Sequence, residues 1–143
     1  MKNTICTGIG IIGAAIASAL GGWDIPLGSL VIFMIIDFIT GLMVAGTGRS
    51  PKTEKGGISS SVVFSGLSKK IVILFFVLIG DRLDLTLGMD YVRNTVIIGF
   101  LANELISIVE NAGLLGVRMP PAITNILEVL KRKENDNYDQ AQE

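Results

Sequence analysis

The residues of this chain with the most chemical potential are acidic and amide side chains placed inside an apolar stretch. Drawn as a helix at about 100° per residue, five of them fall within roughly a third of the circumference: Asn103, Glu104, Ser107, Glu110 and Asn111. The residues between them are mostly Leu, Ile and Val. An ionised side chain at the centre of a bilayer costs roughly 2.5–3.5 kcal/mol on insertion scales. This polar stripe should therefore face water, another helix or a second copy of the chain.

Two interpretations of the polar stripe remain open from the sequence. In the first, Glu104 and Glu110 are neutralised inside a static bundle, by protonation or by pairing with a cation: Lys69, Lys70 or Arg118. In the second, the stripe is masked in the dispersed protein and becomes wetted on assembly, which makes its residues candidates for pore lining or gating. Asp37 is a further candidate, although one hydrogen-bonded acid in a packed bundle explains it equally well.

Catalytic readings of the acidic residues are weak. Asp37 and Asp81 could suggest an intramembrane aspartyl protease, in which two carboxyls share a proton to activate water. Neither lies in a Gly-x-Gly-Asp context, and Asp81 adjoins Arg82 at the end of an apolar run. Ser65 with Lys69 as its base is weaker still, because serines near glycines are ordinary packing residues in membrane helices.

Composition predicts a small integral membrane protein. Half of the 143 residues are apolar and only 17% are charged. The chain has no histidine, which removes the commonest catalytic bases and metal ligands. Its single cysteine, Cys6, excludes an internal disulfide and a site built from several cysteines. We therefore expect no enzyme activity, no metal and no cofactor.

Two apolar segments, about 4–22 and 25–47, are each long enough to cross a hydrocarbon core of ~30 Å. Small residues at helical spacing give both a candidate packing face, since small side chains let helix backbones approach closely in lipid. The candidates are Gly10, Gly13, Ala14 and Ala17 in the first segment and Gly41, near Asp37, in the second. A cleaved signal peptide is the alternative for residues 1–19, because a lysine, an apolar run and Ala17-Ser18-Ala19 resemble its three regions.

The third span is the shortest of the four that we predict. Unbroken apolar residues run only from Ile71 to Gly80, so we expect a short or tilted helix over about 69–85. A separate surface-lying or tilted piece is predicted over 59–69. The fourth span covers about 92–117 and carries the polar stripe.

The sequence pattern of the C-terminal region predicts a helix that lies on the membrane surface and does not cross the membrane. Apolar residues repeat at i, i+3, i+4 and i+7 from Ile123 to Leu130, with polar residues opposite. This pattern, after Pro120-Pro121, predicts an amphipathic helix over about 120–133 lying on the membrane face. Residues 134–143 form a polar tail that we expect to be disordered.

Together these segments predict an all-α integral membrane protein of about four spans, a single membrane domain over 1–133. Basic residues cluster on one side of this arrangement: Lys2; Arg49, Lys52 and Lys55; and Lys131, Arg132 and Lys133. The positive-inside rule then places both termini in the cytoplasm. The clusters are interpreted as topology determinants, with the lipid bilayer as partner and no nucleic acid.

Several motifs of this chain resemble those of a known protein family. The run from Asn103 to Asn111, followed by Gly116 and Pro120, resembles a holin family of Gram-positive bacteria and their phages. The family includes toxin-secretion holins that lie beside large clostridial toxin genes. The resemblance covers about residues 20–130, and its other matching features are Trp23-Asp24, Asp37-Phe38-Ile39-Thr40-Gly41, Ser59-Ser60, Gly66, Lys69-Lys70 and Asp84.

The resemblance implies a multi-pass protein of the bacterial cytoplasmic membrane that forms homo-oligomeric lesions and lets an endolysin, or a toxin, leave the cell for host lysis. It implies no stable contact with the endolysin. Any antiholin would be a separate protein, since the next methionine after Met1 is Met34, inside the second span. The alternative is a non-lytic small oligomeric channel or a membrane adaptor subunit, which shares the spans and the polar stripe.

Overall fold

The computed structural model describes residues 2–51, 58–126 and 128–129, and four long helices form most of this part of the chain. They are α1 (Lys2–Ala19), α2 (Ile25–Gly46), α3 (Ser60–Leu87) and α4 (Val92–Leu114). Three of the described helices, α2, α3 and α4, are long and apolar enough to cross a membrane, while α1 contributes the shorter apolar stretch Thr4–Ala19. The all-α prediction is confirmed, whereas the number of crossings and the location of the termini remain predictions.

The third helix differs from its prediction. The structure has one continuous helix of 28 residues, Ser60–Leu87, where the sequence predicted a separate piece over 59–69 and a short helix over 69–85. At ~1.5 Å per residue, α3 is about 42 Å long, more than a hydrocarbon core needs. Lys69 and Lys70 do not interrupt it, because lysine is a good helix former and the charge of Lys70 is paired with two neighbouring helices.

Local signals explain where the helices begin and end. The Asp24 side chain accepts a hydrogen bond from the Leu27 backbone N–H at 3.0 Å and caps the start of α2. The Asp84 carboxylate, near the end of α3, accepts hydrogen bonds from the backbone N–H groups of Val92 and Arg93, each at 2.9 Å. Asp84 therefore ties the end of α3 to the first turn of α4.

Packing places α4 against both α2 and α3, which contact each other much less. A buried apolar cluster lies between these helices and includes the residue that follows α1: Leu20, Leu27, Leu30, Met34, Ile73, Val77 and Ile97. Large apolar side chains elsewhere on the bundle are exposed, among them Ile32, Phe64 and Ile98. An exposed apolar surface of this extent suits contact with lipid rather than water.

The first helix stands apart from this packing. Its side chains from Thr4 to Ala19 are exposed or half-buried, and a Cβ added at Gly10 or Gly13 would meet no atom within 4 Å. Ala14 is exposed and Ala17 half-buried. Among the described residues, the predicted packing face of α1 therefore makes little contact within one chain, and its role in association stays a prediction.

Beyond α4, residues 121–126 and 128–129 are helical, and their side chains are exposed. They fall inside the amphipathic helix predicted over about 120–133. Residues 127 and 130–133 of that prediction, and the polar tail predicted over 134–143, lie outside the described residues, as do Lys52 and Lys55.

Candidate functional site

An ion pair joins three helices inside the bundle. The Lys70 ammonium on α3 lies 2.5 Å from Oδ2 of Asp37 on α2 and also contacts Oε2 of Glu104 on α4. The exposed fractions of the three side chains are only 13%, 14% and 4% for Lys70, Asp37 and Glu104. One cation thus joins two carboxylates that the sequence places 67 positions apart (104 − 37).

Two neutral side chains complete this cluster. The Asn111 side-chain amide donates to Oδ1 of Asp37 at 3.2 Å and to the Thr40 hydroxyl at 3.1 Å. The Thr40 hydroxyl in turn lies 2.9 Å from the backbone carbonyl of Ile36, to which it donates. We call Asp37, Thr40, Lys70, Glu104 and Asn111 the Lys70 network. Buried polar groups are costly when they lack partners, so these mutual contacts stabilise the closed arrangement of the helices.

The energetic balance of the network depends on Lys70. Removing one partner of a buried ion pair typically costs about 3–5 kcal/mol, because an uncompensated charge is left behind. Here a single lysine is the cationic partner of both Asp37 and Glu104. The arrangement holds helices together through charge and carries no nucleophile positioned by a base.

A cleft of about 950 Å³ adjoins the network. Its walls come from α2, α3 and α4 and include Phe38, Gly41, Gly66, Asn103, Ser107 and Glu110. The cleft is lined mainly by the C-terminal half of α2, the N-terminal half of α3 and the C-terminal half of α4. The bundle is therefore less tightly filled here than in its apolar cluster.

The predicted polar stripe divides between these two places. Glu104 and Asn111 are buried in the Lys70 network, and Asp37 joins them there. Ser107 is half-buried and Glu110 is exposed, and both line the cleft. For Glu104, the pairing interpretation with Lys70 is the one that the geometry matches.

The other sequence candidates fall at separate positions. A Cβ at Gly41 would lie 3.7 Å from the Asn111 amide nitrogen, so Gly41 is at the contact between α2 and α4. Asp81 pairs with Arg82 at 2.9 Å, and it lies eleven positions beyond Lys70 on α3, or about 16 Å along the helix (81 − 70). Asp37 and Asp81 thus have different cationic partners and do not form a proton-sharing pair.

A second polar cluster, which sequence reasoning missed, lies at the opposite end of α4. The Arg93 guanidinium is buried and donates through Nε to the Leu20 carbonyl at 2.6 Å and through Nη2 to the Gly22 carbonyl at 3.0 Å. It also pairs with Asp24 at 2.6 Å. We call Arg93, Asp24 and the two carbonyl groups the Arg93 clasp. It joins the residues after α1, the cap of α2 and the first turn of α4.

Glycines make the clasp possible. Gly21 has φ +87°, and a Cβ there would lie 2.8 Å from Nε of Arg93 and even closer to Oδ1 of Asp81. On α3, a Cβ at Gly80 would lie 2.9 Å from the Cα of Arg93. The absence of a side chain at both positions lets α3 and the end of α1 approach Arg93 directly.

Comparison with known proteins decides the class of molecule. A model of the bacteriophage holin family matches residues 14–132, most of the chain. The chain belongs to the bacteriophage holin family. This is a family of non-enzymatic membrane proteins, so the chain is not an enzyme.

Of three relatives of this chain, two are uncharacterised and one is named a probable holin. The chain is 37% identical to an uncharacterised protein of Listeria innocua, over 92% of this chain and 91% of that protein. It is 32% identical to an uncharacterised 14.9 kDa protein in the nagH 3′ region of Clostridium perfringens, over 92% of this chain and 96% of that protein. A probable holin of Bacillus phage phi105 is 29% identical over 76% of this chain and 73% of its own length. No solved structure matches this chain.

Two basic residues of this holin, Lys70 and Arg93, join more helices than the sequence indicated. The sequence offers Lys70 as one of three candidate cationic partners for the polar stripe, and it does not single out Arg93. A charged residue within an apolar helix is expected to find an opposite charge in the bundle, and this is the signal that points to Lys70. Arg93 follows no comparable pattern, because two of its acceptors are backbone carbonyls that any sequence supplies.

The Arg93 clasp predicts an acid-sensitive component of stability in the holin. In the connection between α1 and α2, the hydrogen bond from Arg93 holds the pKa of Asp24 below its ordinary value of 3.8. Because the folded-state pKa is lowered, this contribution is complete above about pH 3.8 and is lost as the pH falls through the folded-state value. Unfolding of the protein in detergent micelles should show this loss.

The matched control is Asp24→Asn. Asparagine caps a helix about as well as aspartate, so this change removes the charge and spares the cap. We expect the variant to be less stable than the wild type at neutral pH and to lack the Asp24 component below pH 3.8. The same acid dependence in both proteins would assign the effect to other carboxyls.

Proposed function

We propose that this chain is a lysis protein: it accumulates in the bacterial cytoplasmic membrane and assembles into homo-oligomeric lesions that release an endolysin, or a toxin. The observation that carries the proposal is the Lys70 network, in which Glu104 is compensated within a single chain. A chain whose buried Glu104 has a cationic partner on its own α3, and whose bundle exposes many large apolar side chains, can remain dispersed in lipid. Membership of the holin family supports the same conclusion.

The proposed topology follows from charge. Four crossings, by α1, α2, α3 and α4, would place Lys2, Arg49 and residues 131–133, and with them both termini, on one side of the membrane. The positive-inside rule assigns that side to the cytoplasm. The cleft, close to Ser50 and Leu114, would then open toward the cytoplasmic side.

Assembly would use surfaces that one chain leaves unpacked. The face of α1 with Gly10, Gly13, Ala14 and Ala17 is available for association between copies. Separation of α2, α3 and α4 would break the Lys70 network and expose Asp37 and Glu104. Together with Ser107 and Glu110 these groups would line water in the lesion. No stable complex with the endolysin is required, and an antiholin would be a separate protein.

The membrane potential offers a route to timing. One elementary charge moved across the full potential changes energy by ~2.3 kcal/mol per 100 mV. Asp37, Lys70 and Glu104 are charges held within the bundle, so their energy depends on how the field falls along the helices. A fall in potential would change the balance between the closed and open arrangements.

The decisive experiment is culture density after induction of this chain in a bacterium that also makes an endolysin without a signal sequence. Sudden lysis after a delay, absent with either protein alone, would establish a lesion that passes a folded enzyme. Continued growth, with the protein confirmed in the membrane, would contradict the proposal. It would favour a non-lytic channel or adaptor, for which the internally satisfied Lys70 network is also suitable.

Substitution of the acidic residues should change the time of lysis. We expect Glu104→Gln to shift the onset of lysis more than Glu110→Gln, because Glu104 is 3% exposed and contacts Lys70 whereas Glu110 is exposed at the cleft. Lysis curves would be recorded at matched membrane levels of each variant. If the double variant lyses at the wild-type time, neither carboxylate takes part in timing.

A further inference from the structure

The two ends of the helix bundle are built differently. Around Arg93 there is no room for a Cβ at Gly21 or Gly80, and the guanidinium is bonded to Leu20, Gly22 and Asp24. At the other end, α2, α3 and α4 border a cleft of about 950 Å³. One end is therefore tightly filled, and the other already contains open space.

The hydrogen bonds and ion pairs that join the helices also differ between the two ends. At the Arg93 end, backbone groups take part: the Leu20 and Gly22 carbonyls accept from Arg93, and the Arg93 N–H donates to Asp84 at 2.9 Å. A planar guanidinium with several donors holds such acceptors in a fixed geometry. At the cleft end, the flexible side chain of Lys70 joins α3 to α2 and α4. The only arginine contact with a backbone carbonyl described at this end is one exposed hydrogen bond, from Arg49 to Leu114 at 3.4 Å. A long lysine side chain can release its partners without any change in the backbone.

We propose that Arg93 is a positioning residue that keeps one end of the bundle closed, so that α2, α3 and α4 separate at the cleft end when the Lys70 network breaks. Arg93 then acts as the fixed point of the opening and Lys70 as the releasable contact. The direction of opening would bring Glu104, Ser107 and Glu110 into one widening, polar space. The link from this movement to lysis rests on the proposed function, whereas the movement itself can be measured without lysis.

Two cysteine pairs in a Cys6→Ser background report on the two ends separately. Phe38→Cys with Gly66→Cys spans the cleft, because a Cβ at Gly66 would lie 3.9 Å from the Phe38 ring and both residues line the cleft. Ala19→Cys with Arg82→Cys reports on the Arg93 end, because the Arg82 guanidinium donates to the Ala19 carbonyl at 3.3 Å. The full chain, in isolated membranes, would be treated with a short bis-maleimide.

Each substitution should loosen one end. We expect Lys70→Gln to lower crosslinking of the cleft pair by about tenfold or more, since a buried carboxylate loses its partner, while the Ala19–Arg82 pair still reacts. Arg93→Gln should lower crosslinking of the Ala19–Arg82 pair while the cleft pair still reacts. Arg93→Lys, which keeps the charge but presents fewer donors, should lie between wild type and Arg93→Gln. Asp24→Asn should loosen the same end by less, since the two carbonyl contacts remain.

Several outcomes would overturn the proposal. Equal loss at both pairs in Arg93→Gln and in Asp24→Asn would show that the clasp supports the whole fold rather than one end. Unchanged crosslinking in Arg93→Gln would show that Arg93 fixes nothing. End-specific loosening without lysis in the endolysin assay would contradict the proposed function and leave the assignment of Arg93 standing.

Discussion

Lysis is expected to begin earlier when Lys70 is replaced by glutamine. The substitution leaves Asp37 and Glu104 in their sites, where their side chains are 14% and 4% exposed, without a cation. Loss of one partner from a buried ion pair costs about 3–5 kcal/mol, and the cost falls on the closed bundle. The onset of lysis with a cytoplasmic endolysin, and unfolding of the purified chain in micelles, measure the two consequences.

A neutral network is the matched control for this prediction. In the triple variant Lys70→Gln, Asp37→Asn and Glu104→Gln, amides replace all three charges and can hydrogen-bond to one another. No buried charge is then left without a partner, so part of the lost stability and of the delay should return. Wild-type timing and stability in Lys70→Gln alone would show that the ion pair does not hold the bundle closed.

A clear loss of stability is the second large effect that we expect, in Gly21→Ala. Gly21 has φ +87°, a conformation that costs an L-residue about 1–2 kcal/mol. The new Cβ would also press on Nε of Arg93, 2.8 Å away, and on the nearer Oδ1 of Asp81. Overpacking of this kind costs typically about 1–3 kcal/mol more. Denaturant unfolding of Gly21→Ala and of the wild type in micelles measures the sum of these two costs.

The neighbouring glycine separates the two causes. Gly22 has a similar conformation, φ +94°, but a Cβ there would meet no atom within 4 Å. Gly22→Ala should therefore show only the backbone cost, and the difference between the two variants measures the crowding at the Arg93 clasp. Equal destabilisation by the two substitutions would mean that the clasp moves aside without loss.

Much of the helical architecture could be predicted because apolar length and helix signals are local properties of the chain. The segments 25–47 and 92–117 contain α2 and α4, and Asp24 lies at the start of α2 as its cap. The division of α3 was wrong, because its ten-residue apolar run ends at charges. The charge of Lys70 is paired by carboxylates on two other helices, and no local pattern contains that information.

In the candidate site, too, local sequence patterns predicted which residues share a helix face but not what those residues contact. Helical periodicity grouped Glu104, Ser107, Glu110 and Asn111 on one face, and the structure places all four toward α2, α3 or the cleft. Periodicity could not tell which of them would be buried. Glu104 is buried against Lys70 and Glu110 is exposed, although they are only six positions apart (110 − 104).

By itself the sequence determined the class of this protein: an all-helical membrane protein with a polar face on an apolar helix and the motif of the holin family. It could do so because length, hydropathy and motif spacing are written along the chain. Only the tertiary structure decided that Lys70 joins Asp37 to Glu104 and that Arg93 gathers the ends of three helices. Those contacts join residues more than thirty positions apart, and Arg93 binds carbonyls that every sequence carries, so they exist only once the helices are packed.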